Sequence, residues 1–137
     1  MSKHEGLSVF ELIRADGFIS VNKKLAHAIG LYEATIYGEL VSRYLYFLEH
    51  DRLTDDGWFY NTIADLEAGT AIGDRGQRTA IANLSKHGLI QCRTKGLPKM
   101  RYFKINTNPA ILLSLIEMAN KKIEKKKEAY ESKTKSV

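Results

Sequence analysis

Residues 61–106 constrain this chain more than any other stretch, because they prescribe two short helices around a tight turn and then two strands around a basic loop. Residues 61–70 predict the first helix, with Asn61 or Thr62 as its cap and Asp65 where a capping-box carboxylate would sit. Gly69 and Gly73 punctuate a turn around Ala71 and Ile72. A second helix is expected over 74–87, with Asp74 as N-cap, Gln77 reaching back to its backbone N–H, and Gly88 as the C′ glycine. Residues 89–94 and 100–106 then read as strands joined by Lys95-Gly96-Leu97-Pro98-Lys99.

On a helical wheel, Ala80, Ile81 and Leu84 of the second helix share one side and would pack on the helix before it. Arg75, Thr79, Ala82, Asn83 and Lys86 fall on the other side, with Arg78 toward its edge. Arginine pairs bidentately with guanine, asparagine with adenine, and Thr or Ala meets a thymine methyl. A polar face alone is ordinary for an amphipathic helix. The short turn before this one and the basic ribbon after it single it out, because helix, turn, helix and β-ribbon make the winged helix-turn-helix arrangement. The expected DNA contacts are Arg75, Gln77, Arg78, Thr79, Asn83 and Lys86 on the helix, with Arg93, Lys95, Lys99 and Arg101 meeting phosphates or the minor groove. Gly76 weakens the first turn, so it either admits a phosphate closely or is tolerated near the helix end.

Charge segregates in the same direction. Residues 71–104 carry eight Lys or Arg against Asp74 alone, whereas residues 31–70 carry eight acids against Arg43 and Arg52. A uniformly basic chain would say less than this concentration of cations where the motif predicts phosphates.

At 137 residues there is room for one domain with a modest core. The lone Cys92 excludes an intramolecular disulfide and a multi-cysteine zinc site, and its strand position suits a small buried hydrophobe. No apolar run approaches the roughly 20 residues of a membrane span and no signal-peptide core follows the start, so a cytoplasmic protein is expected. The four histidines are dispersed without metal-ligand spacing, and there is no phosphate-binding glycine loop or nucleophile elbow. The expectation is a binding module with no catalytic residues, metal or cofactor.

Residues 1–7 are polar and expected to be mobile. Residues 8–15 form either a short helix with Val9, Leu12 and Ile13 inward or a strand. Residues 17–22 alternate like a strand, and residues 23–29 make a short helical turn ended by Gly30. Residues 31–50 are apolar nearly all round and belong in the middle of the domain. Trp58-Phe59-Tyr60 should complete a three-stranded sheet with the wing. Asn108 and Pro109 open a last helix whose apolar stripe (Ile111, Leu112, Leu115, Ile116, Ala119, Ile123) either docks on the body or pairs in a homodimer. Beyond Glu124 the Lys- and Glu-rich tail is expected to fray into disorder. The fold class is therefore α+β, mainly α: a winged helix-turn-helix over 17–107, with an N-terminal extension over 1–16 and a C-terminal helix and tail over 108–137.

The stretch from Thr79 to Ile90 (TAIANLSKHGLI) resembles the end of a winged-helix recognition helix entering its wing, a pattern widespread among bacterial regulators and initiators. Ala34-Thr35-Ile36-Tyr37-Gly38-Glu39-Leu40 followed by Trp58-Phe59-Tyr60 resembles the N-terminal domains of phage replisome organisers and of Gram-positive plasmid replication initiators. Lys95 to Phe103 is similar to wings in such proteins. The resemblance spans roughly residues 17–106 and implies origin or operator binding by the second helix and wing. Proteins of that kind usually carry a further domain that recruits helicase machinery, and this chain stops at Val137. A small accessory factor for replication, maintenance or transfer of a plasmid or phage is the expectation. A transcriptional repressor on the same fold is the nearest rival. A protein-interaction adaptor working through the acidic segment 31–70 is the rival of another class.

Overall fold

The computed structural model describes Gly6 and residues 8–135, the last by its backbone alone. The expected mobility of residues 1–7 falls, Gly6 apart, outside the described residues. Helices α1 (Val9–Ala15), α2 (Lys23–Ile29) and α3 (Leu31–Glu49) lead into strand β1 (Trp58–Tyr60). Helices α4 (Ile63–Thr70) and α5 (Asp74–Lys86) follow, then the hairpin β2 (Ile90–Lys95) and β3 (Met100–Ile105), and finally α6 (Ala110–Lys135). The sheet is antiparallel in the order β1-β3-β2, with Phe59 and Cys92 both opposite Phe103. The result is the expected α+β, mainly helical, winged-helix-like fold with a C-terminal helix.

Local chemistry sets the ends of the two central helices. The Thr62 hydroxyl accepts the Asp65 backbone N–H at 3.0 Å and caps α4, while Asn61 is buried instead. That helix stops where Ala71 turns left-handed (φ 62°), a conformation glycine would have adopted more cheaply. Gly69 stays helical, with the Glu39 carboxylate lying where a side chain at 69 would go. The N-cap of α5 is Gly73 with no side-chain bond, so the box expected between Asp74 and Gln77 does not form. Its other end closes with the Leu89 N–H on the Leu84 carbonyl (3.1 Å) and the Gly88 N–H on Ser85 (3.0 Å), a Schellman turn with Gly88 at φ 78°.

The core gathers Phe47, Phe59 and Phe103, with ring centroids 6.1 and 6.0 Å apart in succession, against Ile36, Leu40, Leu66, Leu84 and Ile90. Helix α3 runs through it, though less deeply than its composition predicts: Leu31, Tyr32, Leu45, Tyr46 and Leu48 are exposed. Three further expectations are corrected. Residues 17–22 form no strand; the segment meets no free sheet edge and instead crosses α3, with the Ser20 carbonyl 3.1 Å from where a Cβ on Gly38 would stand. Helix α1 forms, capped by Ser8, but of the three side chains expected inward only Leu12 is half-buried, while Val9 and Ile13 face outward with Phe10. From Glu124 to Lys135 the tail is helical rather than disordered: α6 is continuous to Lys135, and residues 120–135 hold no Gly or Pro to break it; the last two residues of that expectation lie outside the described residues. The near part of α6 docks on α2 through Leu115 and Ala119, helped by Lys24 donating to Asn120 and by Lys122 Nζ on the Ala28 carbonyl (3.4 Å).

Candidate nucleic-acid interface

Helix α5 buries Gln77, Ala80, Ile81 and Leu84 and turns Arg75, Arg78, Thr79, Ala82 and Lys86 outward. The outward row is cationic and spans the length of the helix. Arg78 Nε lies 3.4 Å from Asp74 Oδ1 with both side chains well exposed, an ion pair weak enough for the guanidinium to exchange it for another anion. The Thr79 hydroxyl donates to the Arg75 carbonyl at 3.2 Å, which leaves its methyl group outermost. Because α6 packs along α2, this flank stays uncovered.

Four of the expected contact residues have other occupations. Gln77 is wholly buried: its Nε2 donates to the carbonyls of Ile63 (3.0 Å) and Ile72 (2.8 Å), and its Oε1 accepts from Arg101 Nη2 (2.8 Å). It joins α4, the turn and the wing, and is corrected from a contact residue to an interior one. The signal was available, since 77, 80, 81 and 84 are spaced i, i+3, i+4, i+7. Arg101 shares the inner face of β3 with Phe103, donates to Gln77 and to the Asn61 carbonyl (3.3 Å), and lies over the Phe103 ring. Burial lowers its pKa from the usual guanidinium value, with the Cys92 thiol and Asp74 opposing the shift. Arg101 is thus engaged as a tie between the wing, Asn61 and Gln77.

Asn83 is half-buried and donates to Glu33 Oε1 at 2.7 Å, so its amide is tied to a buried carboxylate rather than offered outward. Arg93 is exposed but folds back across the outer face of the sheet, its guanidinium 4.0 Å from the Trp58 ring centre. Lys95 and Lys99 remain exposed at the wing tip. Burial raises the Cys92 pKa, with Arg101 pulling the other way, which keeps the thiol protonated and suits a packing role.

The role of Gly76 differs from both readings of the sequence. A Cβ there would stand 2.7 Å from Ile72 Cγ2 and 3.3 Å from the Tyr32 ring, so the glycine exists to let α5 close on the turn and on α3. Gly76→Ala is therefore expected to destabilise the fold by about 1 kcal/mol, despite alanine's better helix propensity of similar size. A urea titration checks the sign: a stabilised variant would mean that Ile72 gives way freely.

Two acids of the segment 31–70 are engaged inside the fold, and the others are exposed. Glu33 is buried against Asn83, Glu39 lies against Gly69, and Asp51, Asp55 and Asp56 sit apart in the exposed turn before β1. Among the described residues no three His, Cys, Asp or Glu side chains are grouped to hold a metal, and no helix is long and apolar enough to cross a membrane. The sequence reading passes over the outer face of the sheet. Trp58, Tyr60, Tyr102, Lys104, Arg93 and Lys95 share it by strand alternation.

No protein-family model matches the chain, and no curated protein matches it. A solved structure described as the N-terminal domain of a DNA-binding protein superposes with a TM-score of 0.51 at 17% identity, over 73% of this chain and 81% of that one. The likeness is one of fold.

Proposed function

We propose that this chain is a sequence-specific double-stranded DNA-binding protein that lays the outward flank of α5 in the major groove and rests its wing tip on the backbone. Arg75, Arg78, Thr79 and Lys86 are the base-proximal set, and Lys95 and Lys99 hold phosphates. The observation that carries this reading is the uncovered row of α5, cationic and bonded only within its own helix while its opposite side is locked into the core. The net positive charge of residues 71–104 and the DNA-binding description of the structural neighbour support it. The biological setting is replication, maintenance or transfer of a plasmid or phage, with the protein as an accessory or initiation factor in the cytoplasm. Selection from a random duplex pool tests the core claim. One enriched motif, bound at physiological ionic strength with an affinity that falls as salt rises, is expected. A pool that stays random, with no mobility shift above the lowest salt, sinks the proposal. Asp74 stands in the first turn as the single acid among eight cations, so Asp74→Asn is expected to tighten duplex binding several-fold, about 1 kcal/mol, by freeing Arg78 and removing repulsion of the phosphates. Titration by fluorescence anisotropy reads it.

A further inference from the structure

Lys95 apart, the outer face of the sheet carries chemistry that the duplex reading does not use. Two cross-strand rows define it: Tyr60, Tyr102 and Arg93 in one, and Trp58, Lys104 and Gln91 in the next, with Lys95 beside Met100 toward the tip. No acid lies on these strands. The cations already lie against the rings: Arg93 reaches over Trp58 at 4.0 Å, and Lys95 Nζ stands 5.9 Å from the Tyr102 centroid. Tyr102 is the central ring, on the middle strand, half-exposed, with Tyr60 edge-on to it at 6.4 Å. Trp58 is only 7% exposed, roofed by the arginine. The helices pack on the opposite, inner face, which holds Phe59, Phe103, Ile90 and Ile105; at the β1 edge α3 also reaches Tyr60, with Phe47 edge-on at 5.5 Å and Arg43 over the ring at 5.9 Å, which leaves Tyr102 as the open ring.

A duplex cannot use an aromatic platform of this kind, because its bases are stacked on one another. An unpaired strand can, because each exposed base has a π-face to lay on a ring while its phosphate seeks a cation. Charge sets the direction across the sheet. Arg93 and Lys95 make the β2 side positive, while Asp55 and Asp56 occupy the turn that enters β1. We infer that the outer face of the three-stranded sheet is a second nucleic-acid surface, which binds single-stranded DNA with bases stacked on Tyr102 and phosphates held by Arg93 and Lys95 on the β2 side and by Lys104 on the middle strand. It goes beyond the duplex reading and stands without it, since Tyr102 and Lys104 have no part in the α5 surface.

Trp58 is the sole tryptophan of the chain and lies under Arg93, so its emission reports directly on this face. Titration of the full chain with an oligothymidylate of about twelve nucleotides is expected to give a saturable change in Trp58 emission that weakens with salt. Tyr102→Phe keeps the ring and is expected to bind as the parent does. Tyr102→Leu keeps bulk without the π-face and is expected to bind roughly 5- to 100-fold more weakly. Lys104→Gln, a change at a partly exposed side chain, gives a second reading in case the leucine variant does not fold; it is expected to lose about threefold or more on the oligonucleotide. All three are expected to hold the selected duplex within about twofold of the parent. A flat Trp58 signal at low salt overturns the inference, as does equal oligonucleotide affinity across the variants. Failure of duplex selection with a normal oligothymidylate titration would remove the proposed function and leave this surface standing.

Discussion

Gln77→Ala is expected to cost roughly 3–5 kcal/mol of folding stability, although the residue lies in the first half of the helix proposed to enter the DNA groove. Three hydrogen bonds explain the size. Truncation leaves the Ile72 carbonyl without its donor, takes a second donor from the Ile63 carbonyl, and removes the acceptor of the half-buried Arg101 guanidinium, in a site with no access to water at position 77. Each buried group left unpaired costs about 1–3 kcal/mol, and more when it is charged. The cavity adds to this. Equilibrium urea denaturation followed by circular dichroism measures the loss, and duplex affinity corrected for the folded fraction should be near that of the parent. A variant that melts normally yet no longer recognises its site would return Gln77 to the base-reading set.

The second large effect lies on the other flank of the same helix. Arg75→Ala and Arg78→Ala are each expected to cost about 1–3 kcal/mol on the selected duplex, and the pair together about 2–6 kcal/mol, with little change in melting temperature. Both side chains are exposed, and the one ion pair to Asp74 contributes little to the fold. The loss should be larger on the selected sequence than on random duplex. Lys95→Ala with Lys99→Ala should instead weaken all sequences alike and reduce the slope of log affinity against log salt by about 2. Mobility-shift titrations at several salt concentrations on both duplexes separate the two patterns. Identical losses for both pairs on both duplexes would end the division of labour between helix and wing.

The order of elements from residue 61 to 106 was legible because each boundary has local chemistry: the Thr62 cap, the Gly88 turn, and the alternation of the wing strands. What sequence could not weigh was which polar side chains the interior would recruit. Gln77 and Arg101 look like surface residues by type, and only their spacing with Leu84 and with Phe103 betrays the inward face. Asn83 sits on the correct flank, but its partner Glu33 is fifty residues away and no local rule connects them. Arg93 was read for its charge alone, whereas Trp58 reaches it only through the sheet order, with β3 between their strands. The continuous run of α6 is hidden in the sequence for a different reason. A charged tail without an apolar stripe resembles a solvated, fraying end, yet its Ala, Glu and Lys content is also what a long helix prefers.

That run has a mechanical consequence. At 26 residues α6 is a rod about 39 Å long, clamped near its start on α2 and exposed to solvent over residues 124–134. The clamp grips α2, α2 rests on α3, and α3 holds α5 by the Glu33–Asn83 bond. A torque delivered at the far end of α6 therefore has a continuous path of packed elements to the helix proposed to read the duplex, with α6 as the lever and α2 as its fulcrum.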